Sequence, residues 1–91
     1  MIQLSKHVRK AYSTDGGIVL EVNEGRMFSL NLTGSKILEL LDRRCTPAEI
    51  AEEISREFGV GTDIALRDVE QFLGTLRTHR LVEVRTPDEP R

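Results

Sequence analysis

Tryptophan is absent, cysteine occurs once, and aromatic residues make up only 4% of the chain. A core with so few rings must be built mainly from Leu, Ile and Val. The lone Cys45 allows no internal disulfide, so nothing in the sequence demands an oxidising compartment. Neither charge sign dominates: 13 basic and 15 acidic residues are interspersed, for a net charge of -2. That balance speaks against a dedicated nucleic-acid binder, which would show a basic excess on one face. No apolar run approaches membrane length, and the N-terminus lacks the apolar core of a signal peptide. The expected location is therefore the cytoplasm, with no membrane partner.

Chemistry-bearing patterns are equally scarce. His7 and His79 lie at opposite ends of the chain without neighbours at metal-ligand spacing, so both read as solvated surface residues and no metal is expected. Cys45 falls between two helical patterns and reads as a loop cysteine rather than a nucleophile. Glu49, Glu52, Glu53 and Glu57 make an acidic helix face, with Glu52 placed to pair with Arg56. Asp15-Gly16-Gly17 is followed by a strand pattern, whereas a phosphate loop needs a helix there. No catalytic constellation emerges. A binding module without catalytic activity or cofactor is the expected class.

What is present is a small domain of 91 residues, 38% hydrophobic and 31% charged, long enough for one core. Met1 to Lys6 is expected to be a loose lead-in, residues 7–85 a single domain, and 86–91 a frayed, proline-containing tail. His7 to Ser13 reads as a charged edge strand, with Val8 and Tyr12 on one face and Arg9 on the other. After the Asp15-Gly16-Gly17 turn comes Ile18-Val19-Leu20-Glu21-Val22. Its alternation predicts an apolar face of Ile18, Leu20 and Val22. Asn23-Glu24-Gly25 turns the chain again. Arg26 to Leu30 then returns as a third strand, with Phe28 and Leu30 on one face and Met27 and Ser29 on the other. Sequential pairing leaves that third strand with an open edge. Such an edge could also pair with a second copy, giving a homodimer.

Helices follow. Asn31 or Thr33 caps one over Thr33 to Asp42, with Ile37, Leu38, Leu40 and Leu41 buried. Thr46-Pro47-Ala48-Glu49 is a capping box with proline at the first helical position. It opens a helix carrying Ile50, Ile54 and Phe58, which Gly59 stops. Thr62 or Asp63 caps a third helix reaching Thr78. Its apolar arc (Ala65, Leu66, Val69, Phe72, Leu73, Leu76) is too wide for a single neighbour. Leu81 to Val84 adds a short extended piece. The fold class is α+β, a three-stranded antiparallel sheet followed by three helices. Strands plus three helices can also build a winged-helix DNA binder. The helix that would read DNA, however, carries Asp63, Asp68 and Glu70 beside Arg67, Gln71 and Thr75, which puts three acids against phosphates.

Asp15-Gly16-Gly17-Ile18-Val19-Leu20, Gly25-Arg26-Met27-Phe28-Ser29-Leu30-Asn31 and Thr33-Gly34 resemble the PqqD family. So do Thr46-Pro47-Ala48-Glu49-Ile50-Ala51, Asp68-Val69-Glu70-Gln71-Phe72-Leu73 and Arg80-Leu81-Val82. Arg80 stands where the family usually has Gly. The resemblance implies a fold akin to a winged helix-turn-helix, and a recognition domain for ribosomally made, modified peptides. It would bind the leader segment of a precursor peptide and deliver it to a processing enzyme. The leader would add to the third strand and lie in a groove against the third helix. The lasso-peptide type, with a cysteine protease and an ATP-dependent cyclase as partners, is slightly favoured. The alternative is the pyrroloquinoline quinone type, serving a radical S-adenosylmethionine enzyme.

Candidate peptide-binding residues are Arg26, Met27, Phe28, Ser29 and Leu30 on the strand, and Val69, Phe72, Leu73, Leu76 and Arg77 on the helix. Either margin of the helical arc could form the wall: Ala65 and Phe72, or Leu66, Leu73 and Arg77, with Val69 and Leu76 between. The Leu73 and Arg77 margin is favoured, because a guanidinium there could pair with an acidic leader residue.

Overall fold

The computed structural model describes residues 2–84. The elements run β1 (Ile2–Leu4), β2 (Val8–Ser13), β3 (Gly16–Glu21), β4 (Arg26–Leu30), α1 (Leu32–Asp42), α2 (Pro47–Phe58), α3 (Thr62–Thr78) and β5 (Val82–Val84). β2, β3 and β4 form the expected antiparallel meander in that order. The expected tail at 86–91 lies outside the described residues.

The lead-in is not loose. Ile2 to Leu4 pairs antiparallel with β5, placing Ile2 opposite Val84 and Leu4 opposite Val82. The Ser5 N–H donates to the Leu81 carbonyl at 2.9 Å, and its hydroxyl to the Arg80 carbonyl at 3.2 Å. The partly buried Ile2 and Leu4 pack against the core, so the strand gains apolar burial as well as backbone bonds. Arg80, just before this sheet, adopts a left-handed backbone with φ 59°. The chain thus ends α3 with the turn that glycine would make, at the cost a side chain there entails.

The meander presents the opposite face of β3 from the one its alternation suggests. Val19 and Glu21 are buried, while Ile18 and Val22 stand out in solvent. Glu21 can lie inside because both oxygens have partners. Oε1 accepts from the Glu24 N–H at 2.7 Å, and Oε2 lies 3.5 Å from His7 Nε2. This carboxylate fastens the β3–β4 turn and holds a histidine that reads from sequence as solvated. Gly16 makes the close approach to β4: a Cβ there would sit 2.1 Å from the Leu30 carbonyl oxygen. The Ser35 hydroxyl reaches the Gly16 carbonyl at 3.0 Å and locks α1 to the sheet.

α1 packs on the inner face of the meander, while α2 and α3 pack on each other, α2 also on α1 and α3 also on β5. Asn31 caps α1 by accepting from the Gly34 N–H at 2.8 Å. The α2 capping box closes in both directions, at 2.8 and 3.2 Å. Neither Thr62 nor Asp63 caps α3: Gly61 holds the N-cap position, with no side-chain hydrogen bond. The core gathers Val19, Ile37, Leu38, Leu41, Ile50, Val69 and Leu81, each nearly inaccessible. Its makeup is the aliphatic one that the shortage of aromatics dictates.

Candidate functional site

β4 is a terminal strand of its sheet, so one side of its backbone has no strand partner among the described residues. Its side chains alternate. Met27 and Ser29 are exposed on the outer face, while Arg26, Phe28 and Leu30 are half-buried on the inner one. Strand alternation alone produces this split, and it leaves the free edge flanked by two different chemical surfaces.

Contacts with α3 and α1 define what lies beside the inner residues. The Phe28 and His79 rings approach to 5.0 Å between centroids, tilted by 51°. Arg26 Nη2 donates to the His79 carbonyl at 3.1 Å, and the Arg26 guanidinium sits 5.5 Å from the centre of the Phe28 ring. Phe28 is thus held between a cation and an imidazole, and Arg26 satisfies a carbonyl at the end of α3. Arg26 Nε lies 3.3 Å from Glu24 Oε2 without the alignment of a hydrogen bond. Just past the other end of β4, the Phe72 ring lies against Gly34 of α1.

Phe72 and His79 are seven residues apart, two helical turns, or about 10 Å along one side of α3. His79 meets the strand and Phe72 meets the residues that follow it, so α3 runs antiparallel to β4. Thr75 falls between Phe72 and His79 on that side of α3, and Asp68 one turn before Phe72.

Leu73 is buried in the core together with Val69 and Leu76, so none of these three offers a surface to a ligand. Arg77 is exposed, but helical phase puts it about 140° around α3 from Phe72, away from the contacts with Phe28 and Gly34. Of the helical candidates, Phe72 is the one on the side of α3 that carries the contacts to Phe28 and Gly34. His79 and Gly34, which make those contacts, are not among the sequence candidates. The seven-residue spacing of Phe72 and His79 is the signal that could have found the former.

A concavity of about 250 Å³ lies among Tyr12, Leu32, Lys36, Glu39, Glu57 and Phe58. Its charges answer one another: Lys36 Nζ lies 3.8 Å from Glu39 and 3.6 Å from Glu57. The Tyr12 hydroxyl is pushed up to about 12 by burial and by the negative Asp42 and Glu39. Among the described residues no group of three or more His, Cys, Asp or Glu side chains is placed to hold a metal ion. No helix there is long and apolar enough to cross a membrane.

Comparison with known proteins adds the following. Residues 16–82 match the family described as "Coenzyme PQQ synthesis protein D (PqqD)". No curated protein matches the sequence. Among solved structures, the chain is similar to TbiB1 in complex with the TbiA(beta) leader peptide. The two share 31% identity over 92% of this chain and 98% of that one, with a TM-score of 0.85. It shares the fold of a lasso peptide synthetase B1 complexed with its leader peptide, at 23% identity over 91% and 98% of the two chains, TM-score 0.84. It is also similar to the PqqD portion of Methylobacterium extorquens PqqCD, described as a stand-alone recognition element for ribosomally synthesized and post-translationally modified peptides. There the identity is 25% over 91% of this chain and 88% of that one, with a TM-score of 0.75.

Proposed function

The chain belongs to the PqqD family, and from that premise we propose that it captures the leader segment of a ribosomally made precursor peptide and presents it to a processing enzyme. TbiB1, at 31% identity, binds a leader peptide, and PqqD of PqqCD is a recognition element. One observation carries the reading to particular atoms: the open β4 edge lies beside the end of α3, where Phe28 meets His79, and this reading assigns the space along the Phe72–His79 side of α3 to the leader as its groove. An extended leader adds there as a further strand. Backbone bonds from Met27 to Leu30 supply affinity, and the side chains of Phe28, Leu30, Phe72 and His79 supply selectivity. Val69, Leu73 and Leu76 act indirectly, by seating α3.

Chemistry belongs to the partner enzyme in this reading. The outer face of the sheet suits that partner. Ile18, Val22 and Met27 are 44%, 49% and 66% exposed there, an apolar surface that a solvated antiparallel sheet would ordinarily make polar. The lasso-type partners are favoured on the resemblance of the Gly25-Arg26-Met27-Phe28-Ser29-Leu30-Asn31 stretch. The family match supports the radical-enzyme alternative.

The test uses fluorescein-labelled leader segments of candidate precursor peptides, with the TbiA(beta) leader among them. One of them should give saturable anisotropy with the purified chain, and its precursor should keep its mass when incubated with the chain alone. Absence of saturable binding, or a change in precursor mass, would overturn the reading.

A further inference from the structure

We propose that Gly34 sets the depth of the groove by fixing Phe72, and so limits the size of the leader side chain accepted where β4 gives way to α1. This rests on the leader-binding reading of the same groove.

Gly34 has no backbone reason to be glycine. It lies in the first turn of α1 with a negative φ, unlike the left-handed Gly25 and Gly59. Alanine would ordinarily favour the helix there. What glycine provides is the missing side chain. A Cβ at Gly34 would sit 3.1 Å from Phe72 Cε1 and 3.3 Å from Cζ, with Asn31 Oδ1 at 3.2 Å. The helical Gly74 has nothing within 4 Å of the same position, so of the two glycines inside helices only Gly34 packs against a ring.

Phe72 is half-buried, and its inner side packs against the core. Cores are close-packed and give little. The exposed side of Phe72 is the side that can give, so a methyl at Gly34 displaces the ring by a few tenths of an ångström toward solvent, where this reading places the leader. The displaced ring takes up space that a leader side chain would fill. Gly34 is thus a positioning residue: it acts on the ligand through Phe72. The ligand it governs is an extended peptide with a large apolar anchor (Tyr, Phe or Leu) in the segment that passes Leu30.

The test selects binders from a display library of random peptides with the wild-type chain, Gly34→Ala, and Gly34→Ala combined with Phe72→Leu. Wild type should select a large apolar residue at one position. Gly34→Ala should keep its circular dichroism and thermal midpoint, prefer a smaller residue at that position, and bind the wild-type peptide about tenfold more weakly. The double variant should recover the large residue, because leucine vacates the space that the methyl took. Unchanged selection by Gly34→Ala would overturn the proposal. So would a loss that Phe72→Leu does not reverse, which would trace instead to the Asn31 cap. Failure of the wild-type chain to select any extended peptide would remove the leader reading and this proposal with it.

Discussion

The two terminal strands of the meander present very different edges. β2 carries Arg9 and Lys10, and every residue after Val8 is exposed. Lys10 reaches Asp42 at 3.0 Å, and the Arg9 guanidinium donates to the Lys6 and Val8 carbonyls at 3.2 and 3.3 Å. Charges of this kind are how proteins discourage unwanted strand pairing. In β4 the one charged residue, Arg26, is drawn onto the end of α3, and Met27 to Leu30 are uncharged. The same small sheet thus guards one edge and leaves the other open beside a helix. An open edge in a groove admits a single extended peptide more readily than another folded sheet.

Proline scanning should break this comparison most severely. Adjacent amides of a strand point to opposite sides, so of Met27 and Phe28 one N–H faces β3 and the other faces the free edge. Proline at the outward amide should leave the fold intact and weaken leader binding by about 3 kcal/mol, on the order of a hundredfold in Kd. Proline at the inward amide should unfold the hairpin. Proline at Ala11 or Tyr12 of β2, whichever amide faces outward, should leave leader affinity unchanged. Anisotropy titration and circular dichroism on the three variants separate these outcomes.

A smaller effect should distinguish the arginines. Arg26→Ala removes a charge-assisted bond to the His79 carbonyl and a cation over Phe28. It should cost about 1–2 kcal/mol in urea unfolding. Arg9→Ala, at an exposed position, should stay within about 0.5 kcal/mol. Equal losses would mean that the β4 arginine is no more structural than the β2 one.

How much of this was legible in the sequence depended on the range of the interactions. The capping box at Thr46 and the stripe of α1 are local and were read correctly, down to the buried Ile37, Leu38, Leu40 and Leu41. The order of strands followed from two short turns, and the family resemblance supplied the ligand. The phase of β3 was misread because Glu21 looks like a surface residue until His7 and the Glu24 amide are brought to it. β1 was missed because its partner β5 lies at the far end of the sequence. A broad apolar arc does not say which neighbour lies on which side, so sequence could not fix the binding margin of α3. The Phe28–His79 and Gly34–Phe72 contacts are what favour the Phe72 side in the proposed reading.

The smallest predicted effect belongs to the guarded side. The Tyr12 hydroxyl is raised from 10.0 to about 12 by burial, Asp42 and Glu39. The unfolded chain gives up this proton near pH 10 and the folded chain near pH 12. The stability linked to it is therefore fully present below pH 10 and lost as pH rises through about 12. Tyr12 is 39% exposed, so solvent screening should hold the loss to about 1 kcal/mol. Tyr12→Phe should flatten that part of the stability profile without altering leader affinity.

The claim that the leader adds to β4 is tested most directly by residue-resolved amide exchange, with and without saturating leader peptide. Alternate amides between Arg26 and Leu30 should slow by at least about tenfold, while those from Arg9 to Ser13 exchange as in the free chain. Protection that appears in β2 instead, or a bound leader that leaves every β4 amide unchanged, would contradict it.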